Sequence, residues 1–267
     1  MNLYIKEFST YRSDKEDVDI KKQLKQHYKQ DVRRKDAFIH LAMFGILRLK
    51  DKIDIDLYTE LYMTSGVGNI DIIQKVYEYV TVQKQCIMPF DFINMVGNTT
   101  SYYVCDSVGL KGKSIFQISD NFTFINSLVS VYASISTSKK DAIIGSIDLI
   151  SESENIIKKV LGITEKTKIV SSVNYQYVSL TSKDALAKLE FDTKIYTLDE
   201  VKNHINDLNY QIVASIRCSK LDVDKDSVFF ETMPSWAINN AISKSKNIIF
   251  IDCFEDKYKI IKLKNEI

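Results

Sequence analysis

The sequence predicts a layered α/β domain, and three observations carry that expectation. Segments with strand and helix patterns alternate from residue 2 to residue 262, with no repeat of short period and no low-complexity linker. Residues 121–138, NFTFINSLVSVYASISTS, contain no charged side chain in a chain that is 27% charged. Within them Ile125, Leu128, Val129, Tyr132 and Ile135 recur at helical spacing, while Asn126, Ser127, Ser130 and Ser134 fill the other side, which predicts a helix packed on both faces. Nine of its eighteen residues are Asn, Ser or Thr, which argues against a membrane span and for hydroxyls bonded back to the helix's own carbonyls. Flanking strands at 114–119 and 141–148 complete a βαβ unit, with Asp120 or Asn121 as the helix N-cap. Chemistry in open α/β sheets concentrates at such a junction, where a strand ends and a helix begins.

Composition narrows the class. The 267 residues are 45% hydrophobic and carry a net charge of +1, from 36 Lys and Arg against 35 Asp and Glu, which argues against a general nucleic-acid binder. Cys86, Cys105, Cys218 and Cys253 are widely spaced, with no CxxC and no Cys/His pair at metal-ligand spacing, so neither a metal nor a cofactor is expected. Free thiols in a reducing compartment and an N-terminus without an apolar signal region predict a cytoplasmic location.

The elements follow in order. A strand at 2–8 precedes an acidic link and a basic segment with Lys21, Lys22, Lys25, Lys29, Arg33, Arg34 and Lys35 against Asp31 alone. That segment is either a solvated helix face or a docking patch for an acidic partner. Phe38, Leu41, Ala42, Gly45, Ile46 and Leu49 stripe a helix over 36–50. A strand at 57–63 ends in Gly66-Val67-Gly68, which lacks the third glycine of a dinucleotide fingerprint and the Lys-Ser/Thr of a P-loop, and so reads as a tight turn into a helix at 69–81. Residues 88–92 read as a loop, and 98–108 as a helix stopped by Gly109. Beyond the central unit the patterns predict strands at 168–180, 193–196, 210–217, 247–253 and 257–262, and helices at 183–189, 199–207 and 235–243. Trp236, beside Pro234, is a packing anchor.

Residues 33–150 resemble the N-terminal half of a β-ketoacyl synthase of the thiolase fold. The landmarks stand in the family's order. Arg33-Arg34 opens the first helix, Thr64-Ser65-Gly66-Val67-Gly68 is similar to the GTG turn, and Met88-Pro89-Phe90-Asp91-Phe92 to the S-P-F-x-F loop. Asn98, Gly109-Leu110-Lys111-Gly112-Lys113-Ser114 and Asp141-Ala142-Ile143-Ile144-Gly145-Ser146-Ile147-Asp148 follow. The resemblance implies one thiolase-like domain over 1–267, layered α-β-α-β-α, with 151–267 a divergent, truncated or reduced second half.

It also implies lost chemistry. The family's nucleophilic Cys stands at the head of the buried central helix, where this chain has Asn121 or, with one insertion, Phe122. Of His27, His40 and His204 only His204 is late enough for a catalytic histidine, and the surrounding pattern is missing. The chain therefore looks like a chain-length-factor-like subunit that pairs with an active synthase in fatty acid, polyketide or polyene biosynthesis and helps shape its acyl pocket. On that reading Ser114, Ile115, Phe116, Gln117, Ile118 and Ser119 form the dimer-interface strand. Phe116, Phe122 and Phe124 plug the pocket or are plain core aromatics, and the basic segment meets an acyl carrier protein. Two other readings stand: a homodimeric scaffold or carrier-binding module, and an acyl-thioester enzyme with a relocated nucleophile at Cys105 or Ser119.

Overall fold

The computed structural model describes residues 1–150, 153–205 and 209–265. The chain begins with β1 (Asn2–Arg12), α1 (Ile20–Gln26), α2 (Ala37–Lys50), β2 (Glu60–Ser65), α3 (Ile70–Tyr77), α4 (Pro89–Met95) and α5 (Gly97–Val108). The central unit is β3 (Ser114–Ile118), α6 (Thr123–Ser138) and β4 (Ala142–Asp148). Then come α7 (Glu154–Val160), β5 (Lys168–Ile169), β6 (Ser172–Ser179), β7 (Ala187–Phe191), α8 (Leu198–Ile205), β8 (Gln211–Ala214), β9 (Asp224–Lys225), β10 (Val228–Phe229), α9 (Met233–Ser243), β11 (Ile248–Phe254) and β12 (Lys257–Asn265).

The ten-stranded sheet runs β3-β2-β4-β6-β1-β7-β12-β11-β8-β9. Its pairings read the same from either end. β3, β2 and β4 are parallel, β4 pairs β6 antiparallel and β6 pairs β1 antiparallel. In the second half β9, β8 and β11 are parallel, β11 pairs β12 antiparallel and β12 pairs β7 antiparallel. The halves meet where Asn2–Ile5 of β1 pairs antiparallel with Ala187–Glu190 of β7. The second half thus repeats the pairing order of the first, with shorter strands toward its outer edge, four residues in β8 against six in β2.

Three buried clusters define the layers. Between the halves, Phe124, Ile125, Leu128, Val131 and Ile135 of α6 and Ala237, Ile238 and Ala241 of α9 pack against strands of both halves. Outside the first half α2 and α5 cover Leu61, Met63, Ile143 and Val173, and outside the second α8 contributes Val201 to a cluster with Ile249 and Ile251. The order is α-β-α-β-α, as the resemblance implied. Gln176, fully buried, donates to Ser235 Oγ (3.0 Å) and Asn239 Oδ1 (2.8 Å), anchoring α9 to the first half.

Several elements differ from the sequence reading. Residues 89–95 are helix because Pro89 occupies the first turn, where its fixed φ and missing N–H cost nothing. Residues 187–191 form a strand, since Ala187, Leu189 and Phe191 alternate into the core while Lys188 and Glu190 face away. The stretch 193–196 makes only the Tyr196–Tyr258 bridge, and the long strand at 168–180 is split into β5 and β6. The helix expected over 199–207 ends at Ile205 as described, and its remainder lies outside the described residues. The basic segment is a short helix, α1, and then a turn in which Lys29 and Arg34 adopt positive φ.

Candidate functional site at the head of the central helix

β2 lies between β3 and β4, so α6 crosses over β2 and its head stands at the carboxyl ends of three parallel strands. The helix is held at both ends by polar contacts from outside itself. Ser134 Oγ donates to Glu60 Oε2 (2.8 Å) rather than to a helix carbonyl, whereas Ser130 Oγ does bond back to Asn126 O (3.1 Å).

The N-cap is Phe122, with φ 47° and ψ 29°, and not Asp120 or Asn121. A bulky side chain in the left-handed region costs on the order of 1 kcal/mol or more, and persists only where its surroundings impose it. They do so here. Ser119 Oγ donates to Asn121 O (2.7 Å), Thr123 Oγ1 donates to Ser119 O, and the buried Phe122 ring lies 5.4 Å from Lys259 Nζ.

Behind the turn lies a buried ionic cluster, of which only Asp148 stood in a sequence landmark. Glu231, just before α9, pairs with Arg217 (2.7 Å) and lies 3.1 Å from Thr123 Oγ1. Arg217 also donates to Asp120 O (3.3 Å) and Leu161 O (2.7 Å), and its guanidinium lies over the Phe229 ring. Asp148, at the end of β4, accepts from Gly66 N (2.9 Å), Ser65 Oγ (3.2 Å), Thr232 N (2.8 Å) and Thr232 Oγ1 (2.8 Å). Burial pushes the Asp148 and Glu231 carboxyls up, against the Gly66 and Thr232 donors in one case and Arg217 in the other. Burial also lifts Asp252 to about 6 against the pull of Arg217 and Lys259, and lowers Lys259, whose Nζ donates to Asn126 Oδ1 (2.9 Å).

The three phenylalanines do not form one group. Phe124 enters the core between the halves and Phe122 caps the turn, but Phe116 faces the outer layer, 6.1 Å from the Phe38 ring. The period of two along β3 explains this, since Ile115 takes the inner face and Phe116 the outer. The histidines lie on outer layers: His27 ends α1, His40 on α2 is bonded to Val32 O (3.0 Å), and His204 on α8 packs against Tyr196. Burial raises the Cys105 thiol in α5, which makes it a weaker nucleophile at neutral pH.

β3 ends the sheet, and among the described residues β2 is the one strand paired with it; Ile118 is 51% exposed. Beside it Gly97 packs on the Phe116 ring, and Phe92, Ile93, Val96 and Tyr102 are exposed on α4, α5 and the turn between them. Lys21, Lys22, Lys25, Lys29, Arg33 and Arg34 are also exposed, with Arg33 paired to Asp31 (2.9 Å).

No family model and no curated protein matches the sequence. Solved structures do. The ishigamide ketosynthase/chain length factor superposes with a TM-score of 0.69 at 10% identity, covering 99% of each chain. A ketosynthase in complex with its chain length factor from Xenorhabdus doucetiae gives 0.60 at 10% identity, covering 98% of this chain and 99% of that one. A type II polyketide ketosynthase in complex with its acyl-carrier protein gives 0.63 at 12% identity, covering 100% and 99%. The layered sheet, its repeated pairing order and the two central helices are those of these proteins, and the chain has the thiolase-like fold of the ketosynthases and chain length factors.

Proposed function

We propose that this chain is a non-catalytic, chain-length-factor-like subunit that pairs with an active β-ketoacyl synthase and helps shape its acyl pocket in fatty acid, polyketide or polyene biosynthesis. The observation that carries the reading is Phe122. It heads α6 where a thioester-forming enzyme of this fold needs a thiol, and a phenyl ring cannot form a thioester. With His27, His40 and His204 on outer layers, the head of α6 has no histidine to assist a decarboxylation.

Pairing is supported by the β3 edge and its apolar flank, since an uncovered edge of this kind is otherwise a template for aggregation. Two of the similar structures are a ketosynthase with its chain length factor and a ketosynthase with its acyl-carrier protein; the same two partners are proposed for this chain. The exposed cations from Lys21 to Arg34, with Lys35, are the proposed docking patch for an acidic carrier protein. A cytosolic location belongs to the same proposal; among the described residues no helix is long and apolar enough to cross a membrane.

Coexpression with a ketosynthase of the same cell, read by native mass spectrometry, tests the reading. A one-to-one heterodimer is expected. A homodimer through the same β3 edge would favour the scaffold reading, and a monomer that ignores every synthase would overturn both.

A further inference from the structure

A separate cleft of about 480 Å³ opens on the outer side of the first half, between the start of α2, α3 and α4. It lies beyond the carboxyl ends of the parallel strands β2 and β4, reached by Asn69 after one and Leu149 after the other. Ligand clefts in open α/β sheets occur in such places, and the volume suits a small molecule. Phe122, Arg217 and Glu231 take no part in its walls.

The polar groups of the cleft are largely paired. Asp36 accepts from Ile39 N (3.0 Å) and Asn69 Nδ2 (2.7 Å), Lys75 pairs with Asp91 (2.9 Å), and Gln74 links Glu78 (3.2 Å) to Ser153 (2.7 Å). Three groups stand apart. Arg34 has no carboxylate partner among the described residues, and its guanidinium lies 4.5 Å over the Phe90 ring. Lys35 Nζ donates to the carbonyl of Asp31 (2.7 Å) and lies 4.4 Å over the Tyr103 ring, with no carboxylate paired to it among the described residues. Asn94, only 5% exposed, donates Nδ2 to Arg34 O (3.1 Å), while its buried Oδ1 accepts no hydrogen bond. An acceptor left empty in the cleft wall beside an Arg34 that no carboxylate compensates is the pattern of a site awaiting a ligand.

We propose that this cleft binds a small organic anion that carries its own hydrogen-bond donor. The carboxylate or phosphate sits at Arg34 and Lys35, and a hydroxyl or amide N–H donates to Asn94 Oδ1. Arg34, a planar donor fork stacked on an aromatic ring, recognises either anion in two-pronged fashion.

Titration calorimetry and ligand-observed NMR on the full chain test this with four probes: glycerate, glycerol 3-phosphate, inorganic phosphate and glycerol. Glycerate or glycerol 3-phosphate is expected to bind at least about tenfold more tightly than phosphate or glycerol, and the tighter of the two identifies the anion. Arg34→Gln and Asn94→Ala are each expected to weaken that probe about tenfold or more. Arg34 is exposed, so Arg34→Gln carries the test even where Asn94→Ala fails to fold. The proposal is overturned if neither organic anion saturates, if phosphate binds as well as they do, or if Arg34→Gln leaves binding unchanged. Coexpression with a synthase reads the β3 edge instead, so either result can fail without the other.

Discussion

Arg217 and Glu231 form a 2.7 Å ion pair whose side chains are 9% and 1% exposed, and through it the second half of the molecule grips the head of α6. Glu231 reaches Thr123 on the first half and Arg217 reaches the carbonyl of Asp120. Removing one partner leaves the other charge buried without compensation. Glu231→Ala is therefore expected to destabilise the fold by about 3–5 kcal/mol, measured by urea unfolding, whereas a change under about 1 kcal/mol would mean the pair is not buried in solution.

Gly66 carries a related prediction. A Cβ there would lie 2.4 Å from Glu231 Cβ, a clash with a side chain held by its ion pair. Gly66→Ala is expected to cost about 1–3 kcal/mol in the same unfolding experiment, and a neutral result would show that the loop before α9 yields easily.

Asp252 predicts the pH dependence. Its folded pKa of about 6 lies above the ordinary 3.8, so folding favours the protonated form. Its stabilisation is complete below the unfolded pKa and is lost as pH rises through the folded one. Stability is therefore expected to fall as pH rises from 4 through about 6, and Asp252→Asn, which keeps an acceptor for Cys253 N, is expected to make that fall shallower, the raised carboxyls of Asp148 and Glu231 supplying the rest. An unchanged slope in chemical unfolding across this range would assign the dependence to another group.

Phe122→Cys places a thiol at the first turn of α6, beside Lys259. The helix amide groups and the ammonium both favour a thiolate. Alkylation by iodoacetamide at neutral pH, followed by peptide mass spectrometry, is expected to be faster there than at Cys105, whose thiol is raised by burial. Equal or slower labelling would show that the turn is sealed.

Ile118→Lys puts a charge on the β3 edge. Monomer stability is expected to stay within about 0.5 kcal/mol, because the residue is half exposed, while association with the synthase, or with a second copy, weakens about tenfold or more. Binding unchanged in native mass spectrometry would move the interface off β3.

Local periodicity made much of this fold legible. The stripe of α2, the uncharged run of α6 and the alternation of β4 depend on neighbours within a few residues, and each element forms close to where the pattern placed it. The order of landmarks from Arg33 to Ile150 pointed to the thiolase fold as well. Residues 183–189 are the exception. Ala187 and Leu189 fit a helix or a strand, and pairing with β1 and β12 decided for strand.

By itself, then, the sequence determined the α/β class, the central helix and the lack of a thiol at its head. Only the tertiary structure decided that Phe122 takes the left-handed turn, that Phe116 and Phe124 lie on opposite faces, and that Arg217, Glu231, Asp148 and Asp252 form one buried cluster. The physical reason is range. A helix is specified by side chains three and four residues apart, whereas Glu231 meets Thr123 across 108 residues of chain, and the desolvation that sets its charge exists only once both halves have closed around it.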